Sequence, residues 1–495
     1  MEARLPISTR NTAERSAMTT TLHQRPTVPA ERERPRHDIP TALPAVALLA
    51  AAAVLVWHVY AIPIGNPYYG LFSNDVDRYV YTAGGEAIRY GVSLYDTPVF
   101  FDMEFTYTPF AALLFVVFTL TTPAVAQVLW WTAIVVALVA LVAVCLRVLG
   151  YRDTVRTWIL ALALAVVCTA FEPVRSTIWL GQINIFLVLL IVWDLTRPGG
   201  ARLRGAAVGI AAGIKLTPAF FLVYLACTRQ WRTFWTATAA FAATIGIGFL
   251  IRPTDSTTYW GRQFNAPARV GPVDSPANQS VNGFLAQLLR FYDVDRYAVH
   301  GPTSTVYAPP TWMWLTVAVP LVLFGLYAAV RAHRSGRILL SLTVAGMTAA
   351  CASPFSWGHH WVWFAVLFVL ALHHAHTGRT RYRWLPCATV FLASFCWWWN
   401  YPDRPPLEDA PHPIGIGLFM LPRDDLPAWW AHIAVPFYSG CYLLLFLVTA
   451  VYVIRHVPTH ARQRRNGDVT AGWMRLGRRP DRVSEIGCAA SRSVG

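Results

Sequence analysis

The chain has 495 residues, of which 55% are hydrophobic and only 14% are charged, and its formal net charge is +15. Soluble domains carry roughly 25% charged residues, so this composition excludes an ordinary soluble protein and predicts an integral membrane protein. The arginines lie mostly in the two tails and in short loops between apolar runs, which argues against nucleic-acid binding because no basic folded domain would present them.

The chain divides into three predicted parts. Residues 1–40 are polar, rich in arginine and contain several prolines, so we expect a disordered cytoplasmic tail and no signal peptide. Residues 41–454 carry the apolar runs and are predicted to form one transmembrane domain. Residues 455–495 form a basic cytoplasmic tail. Both tails are expected to contact anionic membrane lipids.

The apolar runs predict an all-α polytopic membrane protein with 10 to 12 transmembrane helices. A helix needs about 20 apolar residues to cross roughly 30 Å of hydrocarbon. The runs that approach this length are 41–62, 107–121, 124–147, 157–172, 180–195, 233–251, 311–331, 338–353, 361–373, 384–399 and 429–454.

The positions of the arginines predict which loops face the cytoplasm, because cytoplasmic loops carry an excess of positive charge. Arginine-bearing inner loops are expected around Arg197–Arg204, Arg229–Arg232, Arg331–Arg337 and Arg379–Arg383, and in the tail from Arg455. The longer, aromatic-rich loops are then outside, namely 63–106, 252–310, 353–360 and 400–428.

One segment conflicts with this topology. If 63–106 is outside, full crossings at 107–121 and 124–147 would place Arg147, Arg152 and Arg156 outside as well. Either 107–121 spans only half of the membrane, or this loop does not follow the positive-inside rule.

Residues 203–228 have inner-loop arginines on both sides, although most of the segment is apolar. Its middle contains Lys215 and Pro218, and proline breaks a helix. We predict two half-helices that enter and leave on the same side. Lys215 is the only lysine of the chain; it either binds a phosphate at membrane depth or extends to the inner surface.

The first outer loop holds two acidic candidates, Asp75 and Asp77. A carboxylate at the edge of a lipid-facing cavity could take the proton of an acceptor hydroxyl group during sugar transfer. Alternatively, both are solvated loop acids, or one of them pairs with Arg78.

Further polar candidates lie at predicted membrane boundaries. Gln182 and Asn184 begin an apolar helix, where polar side chains face a functional interior or form hydrogen bonds between helices. His359 and His360 lie in an aromatic turn and could donate to a phosphate, although aromatic residues are also common at the membrane interface. The eight cysteines lie mostly in apolar runs, so we expect neither a disulfide nor a cysteine metal site.

The motifs form an ordered set over about residues 65–365: Asp77-x-x-Val80-Tyr81, Gly91-x-x-Leu94-Tyr95, Tyr107-x-Pro109, Gly181-Gln182-x-Asn184, Lys215-Leu216-x-Pro218, Asn278-Gln279-Ser280 and Ser353-Pro354 with His359-His360-Trp361. This set resembles glycosyltransferase family 87, the actinobacterial polyprenol-phosphate-mannose-dependent mannosyltransferases with the C-type glycosyltransferase fold. The turn departs from the pattern, because Gly358 stands where an acidic residue is expected before the histidines.

The resemblance implies a function. It implies an inverting, alpha-1,2-forming transfer of mannose from a polyprenyl-phosphate donor to a lipid-linked or cell-envelope glycan acceptor. The arginine positions predict that this transfer occurs on the outer face of the plasma membrane. Because the leaving group is a single phosphodiester, we expect the transfer to need no metal or cofactor. Asp77 would be the general base, and Asp75 is the less favoured candidate. The residues expected to bind donor phosphate or substrate are His359, His360, Lys215, Arg175, Gln182, Asn184, Asn278 and Gln279.

Other functions remain open from the sequence. An arabinofuranosyltransferase that uses decaprenyl-phosphate arabinose would carry similar motifs. A transporter or flippase is a further alternative, opposed by the lack of an internal repeat and by the long polar outer loops. The third alternative is a non-catalytic membrane scaffold.

Overall fold

The computed structural model describes residues 37–100, 103–301, 304–401, 413–423 and 426–458. The two predicted tails therefore lie outside the described residues, except for 37–40 and 455–458.

The described part consists of eighteen α-helices and two small antiparallel sheets, which confirms the predicted all-α class. The first nine helices are α1 Ala42–Tyr60, α2 Val76–Tyr90, α3 Pro109–Phe115, α4 Pro123–Val148, α5 Val155–Cys168, α6 Glu172–Leu180, α7 Asn184–Thr196, α8 Ala206–Ile214 and α9 Phe220–Cys227. The other nine are α10 Trp231–Ile251, α11 Pro253–Gly261, α12 Val281–Phe291, α13 Thr311–Arg334, α14 Ile338–Ala352, α15 Trp363–Thr377, α16 Leu385–Ser394, α17 Ala428–Ser439 and α18 Cys441–His456.

The two sheets are hairpins of three-residue strands. Strand β1 (Ala298–His300) pairs with β2 (Thr305–Tyr307), and β3 (Trp398–Asn400) pairs with β4 (Ile414–Ile416). The predicted span 384–399 therefore ends early, because its aromatic C-terminal part is extended and pairs with β4. Aromatic residues favour such a pleated, half-buried position.

Helix length supports a multi-pass membrane protein. Among the described residues, α1, α4, α10 and α13 are long and apolar enough to cross a membrane, and two bent pairs, α6–α7 and α17–α18, raise the number to six. Five shorter apolar helices have 10–17 residues. The expected total of 10 to 12 spans therefore stays a prediction.

The predicted span 429–454 is bent by 64° between α17 and α18. Pro436 lies inside α17, and Gly440 separates the two helices against the ring of Phe284. Proline removes a helical hydrogen bond, and glycine lets the chain pass close to an aromatic ring, so both residues favour a bend here.

The segment 107–121 forms only a short helix and a 3-10 turn, Pro109–Thr119, which favours the half-span alternative of the predicted topology. Helix α3 and the 3-10 turn that follows it, Val116–Thr119, pack along α2, and Arg89 at the end of α2 donates to the carbonyl of Thr119 at 2.9 Å. Helix α4 ends at Val148, and the carbonyl of Gly150 just beyond it accepts from the amide of His37, which precedes α1. The loop after α4 is therefore at the same end as the start of α1.

The predicted inner loops meet at that end of the bundle. Arg204 donates to Gln230 at 3.0 Å, which joins the loop before α8 to the turn before α10. Tyr224 near the end of α9 contacts His333 near the end of α13 at 3.3 Å. We refer to this end, with its loops at 197–205, 228–232, 331–337 and 378–383, as the arginine end.

Helix α14 lies inside the bundle. Its residues from Leu339 to Cys351 are all buried, and α13 packs closely along it. Small residues allow this approach: a side chain on Gly325 would collide with Thr348, and one on Gly346 would collide with Trp363. Close packing through small residues is the usual way in which helices associate inside a membrane.

Candidate active site

A cavity of about 790 Å³ opens at the end of the bundle opposite the arginine end. All four segments predicted to lie outside contribute to its wall. They supply Asp77 and Glu104, then Arg269, then His359 and His360, and finally Phe419. These loops are far apart in the sequence, and the fold brings them around one space.

The two aspartates of the first loop have different surroundings. Asp75 is fully buried, has a left-handed backbone conformation and forms an ion pair with Arg78. Its amide also donates to the carbonyl of Trp179 at 2.8 Å. Asp77 lies in the first turn of α2, is half-buried and faces the cavity. Asp75 therefore anchors the loop, whereas Asp77 is accessible to a bound molecule.

Asp77 is held by a network of neutral hydrogen bonds. The amide group of Gln182 donates to Asp77, while the amide oxygen of Gln182 accepts from Tyr81 at 3.2 Å and from Tyr107 at 3.3 Å. The two tyrosine hydroxyl groups are 3.0 Å apart. Burial raises the pKa of Asp77 above its usual range, although Gln182 and the charge of Lys215 oppose this rise.

Gln182 reaches this position because the chain bends by 119° between α6 and α7. Gly181 is at the bend with a φ of 71°. A side chain there would lie 2.5 Å from a carboxylate oxygen of Asp75, so the position combines a left-handed backbone with a close contact. Glycine meets both requirements.

Lys215 lies at the predicted helix break. Helix α8 ends at Ile214, and Lys215 is extended. Pro218 has no amide hydrogen to donate to the Ile214 carbonyl, and its ring would clash with that carbonyl in a continuous helix. The break is therefore confirmed, and it exposes Lys215 to the cavity rather than directing it to the arginine end.

The Lys215 ammonium group donates to the side-chain oxygen of Asn184 and contacts Nε2 of His360, each at 3.0 Å. An ammonium group can only donate, so His360 accepts through Nε2 and carries its proton on Nδ1. Asn184 in turn donates to the main-chain carbonyl of His359 at 2.9 Å. These hydrogen bonds connect three segments: the break after α8, the start of α7, and the turn that carries His359 and His360, which we call the histidine turn.

Two imidazole nitrogens remain available for a ligand. Nδ1 of His360 and Nε2 of His359 are buried and have no hydrogen-bond partner among the described residues. A buried donor without a partner costs free energy, so such groups commonly face a bound molecule or water. Together with Lys215 they form a patch that suits an anion such as a phosphate.

Three predicted binding residues support the wall of the cavity instead of lining it. The side-chain oxygen of Asn278 accepts from the amide of Ser356 at 3.0 Å, and Gln279 donates to the carbonyl of Ser439 at 2.9 Å. Arg175 is fully buried and donates to the carbonyl of Tyr69. Asn278 and Gln279 thus position the histidine turn. Their proposed contact with substrate stays a prediction.

The cavity also contains charged residues that the sequence did not single out. Arg269 forms an ion pair with Glu104, and Glu172 at the start of α6 reaches the wall beside the histidine turn. These three residues are far apart from one another in the sequence, so only the folded arrangement brings them together.

A sequence model of glycosyltransferase family 87 matches residues 105–354. The polyprenol-phosphate-mannose-dependent alpha-(1-2)-phosphatidylinositol pentamannoside mannosyltransferase of Mycolicibacterium smegmatis is 31% identical over 336 residues, which cover 67% of this chain and 75% of that protein. The polyprenol-phosphate-mannose-dependent alpha-(1-2)-phosphatidylinositol mannoside mannosyltransferase of Mycobacterium tuberculosis is 29% identical over 438 residues, 84% of this chain and 93% of the relative. No solved structure matches.

Proposed function

The chain belongs to glycosyltransferase family 87, and we propose that it transfers mannose from a polyprenyl-phosphate donor to a lipid-linked or cell-envelope glycan acceptor. The names of two relatives supply the donor class and suggest a phosphatidylinositol mannoside as the acceptor and an alpha-1,2 linkage. The proposal places the reaction on the outer face of the plasma membrane.

The observation that carries this proposal is the presence of Asp77 and Lys215 on the wall of one cavity. A carboxylate can serve as a base, and an ammonium group beside two free imidazole nitrogens can hold a phosphate. The volume of about 790 Å³ lies within the range of about 300–1,000 Å³ that is typical of small-molecule sites.

The proposed reaction uses these groups on opposite sides of the anomeric carbon. The acceptor hydroxyl oxygen attacks C1 of mannose, and its proton passes to the Asp77 carboxylate. The bond between C1 and the phosphate oxygen breaks, and the electron pair leaves with the polyprenyl phosphate. Attack opposite to the leaving group inverts the configuration at C1.

Charge at the leaving phosphate increases during this step, because a phosphodiester becomes a monoester. Lys215 and the Nδ1 hydrogen of His360 would stabilise that charge. Asn184 already fixes Lys215, and Lys215 in turn fixes the ring of His360 through Nε2. Donors that are oriented before the reaction stabilise a developing charge without further rearrangement. The proposed chemistry therefore requires no metal or cofactor.

The test is sugar transfer by the purified full chain in detergent, with a chelator present. Radiolabelled mannose is supplied as polyprenyl-phosphate mannose or as GDP-mannose, and decaprenyl-phosphate arabinose is supplied in parallel. We expect transfer from polyprenyl-phosphate mannose alone. Transfer from GDP-mannose would contradict a lipid donor, and transfer only from the arabinose lipid would support the arabinofuranosyl alternative. A strict requirement for added divalent metal would contradict the proposed mechanism.

A further inference from the structure

The break between α8 and α9 presents the beginning of a helix to the cavity. Lys215 is extended, and the chain becomes helical again in a 3-10 turn, Thr217–Ala219, that leads directly into the eight-residue helix α9. Lys215, Leu216 and Thr217 all lie on the cavity wall. The N-terminus of the turn and of α9 therefore borders the space in which the proposed reaction holds a phosphate.

Two main-chain donors at this N-terminus are free. The amides of Leu216 and Thr217 form no hydrogen bond with the described residues, and Pro218 has no amide hydrogen. The first amide groups of a helix have no partner inside the helix and point away from it along its axis. Together with the helix dipole, such amides attract an anion.

The hydroxyl group of Thr217 is a third free donor. This side chain is half-buried on the cavity wall, and it has no hydrogen-bond partner in the described part of the chain. The carbonyl end of α8, which would repel an anion, is partly occupied by other donors. The carbonyl of Gly213 accepts from Thr108, and the carbonyl of Ala211 accepts from the amide of Lys215 at 3.0 Å.

A buried side chain from another segment borders the same space. His359 is only 7% exposed and lies on the wall of the same cavity, and its Nε2 has no partner among the described residues. The next residue, His360, contacts Lys215 at 3.0 Å, so the histidine turn and the break lie side by side. Free polar atoms from two segments therefore converge on one space, and a single anion would satisfy them.

The position relative to Asp77 indicates which phosphate this would be. The Lys215 ammonium group lies 5.5 Å from the centre of the Tyr107 ring, the Tyr107 hydroxyl group is 3.3 Å from Gln182, and Gln182 donates to Asp77. Only two side chains therefore separate Lys215 from the proposed base. The leaving phosphate is bonded to the carbon that the acceptor hydroxyl group attacks, so it must be this close to the base. The phosphate of a phosphatidylinositol mannoside is separated from every mannose hydroxyl group by the inositol ring.

We propose that the phosphate of the lipid donor binds at the N-terminus of the 3-10 turn and α9, where the Thr217 hydroxyl group and the amides of Leu216 and Thr217 donate to it beside Lys215. Thr217 is thereby a binding residue for the donor phosphate. This inference rests on the proposed function. These donors are fixed by the backbone, so they can stabilise the charge that develops on the leaving phosphate without rearrangement.

The experiment compares Thr217→Val, which keeps the shape of the side chain without its hydroxyl group, with Thr217→Ser, which keeps the hydroxyl group. In transfer assays, Thr217→Val should raise the KM for polyprenyl-phosphate mannose about tenfold, because a hydrogen bond to a charged group is lost. Thr217→Ser should remain close to wild type, and neither variant should change the KM for the acceptor. Thr316→Val, on the exposed side of α13, is the matched control and should behave as wild type.

A second variant without the hydroxyl group, Thr217→Ala, should show the same rise in the donor KM as Thr217→Val. An unchanged donor KM in these two variants, or an equal rise in Thr217→Ser, would overturn the inference. A rise confined to the acceptor KM would also overturn it, because the site would then hold the phosphate of the acceptor lipid.

Farnesyl phosphate and farnesol, which differ only in the phosphate group, test the same contact without turnover. In calorimetric titrations, Thr217→Val should bind farnesyl phosphate about tenfold more weakly than Thr217→Ser does, and the two variants should not differ toward farnesol. Equal binding of farnesyl phosphate by both variants would contradict the site. If the wild-type chain transfers no mannose from the lipid donor, the proposed function fails, and this titration still decides whether a lipid phosphate binds at Thr217.

Discussion

Asp75 and Asp77 are separated by one residue, yet the fold gives them different surroundings. The left-handed backbone at Asp75 turns its carboxylate inward to Arg78, and the next turn of the chain directs Asp77 into the cavity. Breaking a buried ion pair typically costs about 3–5 kcal/mol, so Asp75 contributes to stability. Asp77 has no such partner among the described ion pairs and is free to exchange a proton with substrate.

We expect Asp77→Asn to lower kcat by about a hundredfold to ten-thousandfold, because the general base is lost. The variant should fold normally, since the amide can still form a hydrogen bond with Gln182. Transfer from polyprenyl-phosphate mannose measures the effect. Asp75→Asn is the comparison and should lower the unfolding temperature. Near-normal turnover of Asp77→Asn beside an inactive but stable Asp75→Asn would mean that Asp75 is the base.

The pH dependence of transfer should report the state of Asp77. Burial raises the pKa of Asp77, and a base must be ionised, so kcat/KM should fall as the pH decreases through this raised value. The acid limb is expected at a higher pH than the ordinary aspartate value of about 4. Gln182→Met removes a hydrogen bond to the ionised form and should move the limb to still higher pH. A limb at the ordinary value would contradict this assignment.

Among individual residues, the sequence identified the charged side chains that stand beside apolar runs, where charge is uncommon. Asp77 and Lys215 were recognisable because a loop acid and a lone lysine stand beside apolar runs. Glu172 was not, because its neighbours Tyr442 and Gly358 are distant in the sequence and only packing makes them adjacent. The turn lacks the acidic residue expected at position 358, and the structure places the carboxylate of Glu172 in the space of that missing side chain.

Two interruptions of helices build the site at the scale of elements. The bend at Gly181 brings Gln182 to Asp77, and the break after Ile214 brings Lys215 to Asn184 and His360. Non-helical backbone at membrane depth is tolerated where it lines a cavity, and both interruptions do so. The proline predicted the break, because its missing amide hydrogen leaves one helical carbonyl without a partner.

Lys215→Met should raise the KM for polyprenyl-phosphate mannose about tenfold to a hundredfold, because the phosphate loses a charged donor. The KM for the acceptor should stay the same. Initial rates at varied donor concentration measure this. Arg232→Met removes an exposed positive charge at the arginine end and serves as the control. If Lys215→Met and the control have the same donor KM, the lysine only connects the two helix ends.

Most helix positions followed from hydropathy, whereas the path of the chain between them did not. The run 107–121 is apolar enough to suggest a crossing, but α3 and its 3-10 turn stay beside α2 through the contact of Arg89 with Thr119. That contact depends on tertiary structure, which an apolar run does not encode. Arginine positions were a better guide to which loops lie together, because the loops that carry them meet at one end of the bundle.

At the scale of the whole molecule, the arginine loops gather at one end and the cavity lies at the other. This separation predicts accessibility from the two sides of the membrane. With Cys227, an exposed native cysteine, replaced, single cysteines at Tyr90 and Asn265 should react with an impermeant reagent in intact cells. Cysteines at Arg202 and Arg379 should react only after permeabilisation. The reverse pattern would place the cavity in the cytoplasm.

The enclosure of α14 has a consequence for how the protein is made. Its 15 residues extend about 22 Å, which is less than the roughly 30 Å of a bilayer core, and its surface is covered by protein. Such a helix is too short to span the lipid bilayer stably on its own. We therefore expect α14 to enter the membrane together with α13, as a hairpin turned at Arg334–Arg337, and the turn with His359 and His360 to arrive as the trailing end of that hairpin. The anion-binding half of the site would then be assembled late in synthesis, after the loop that carries Asp77 has already been translocated.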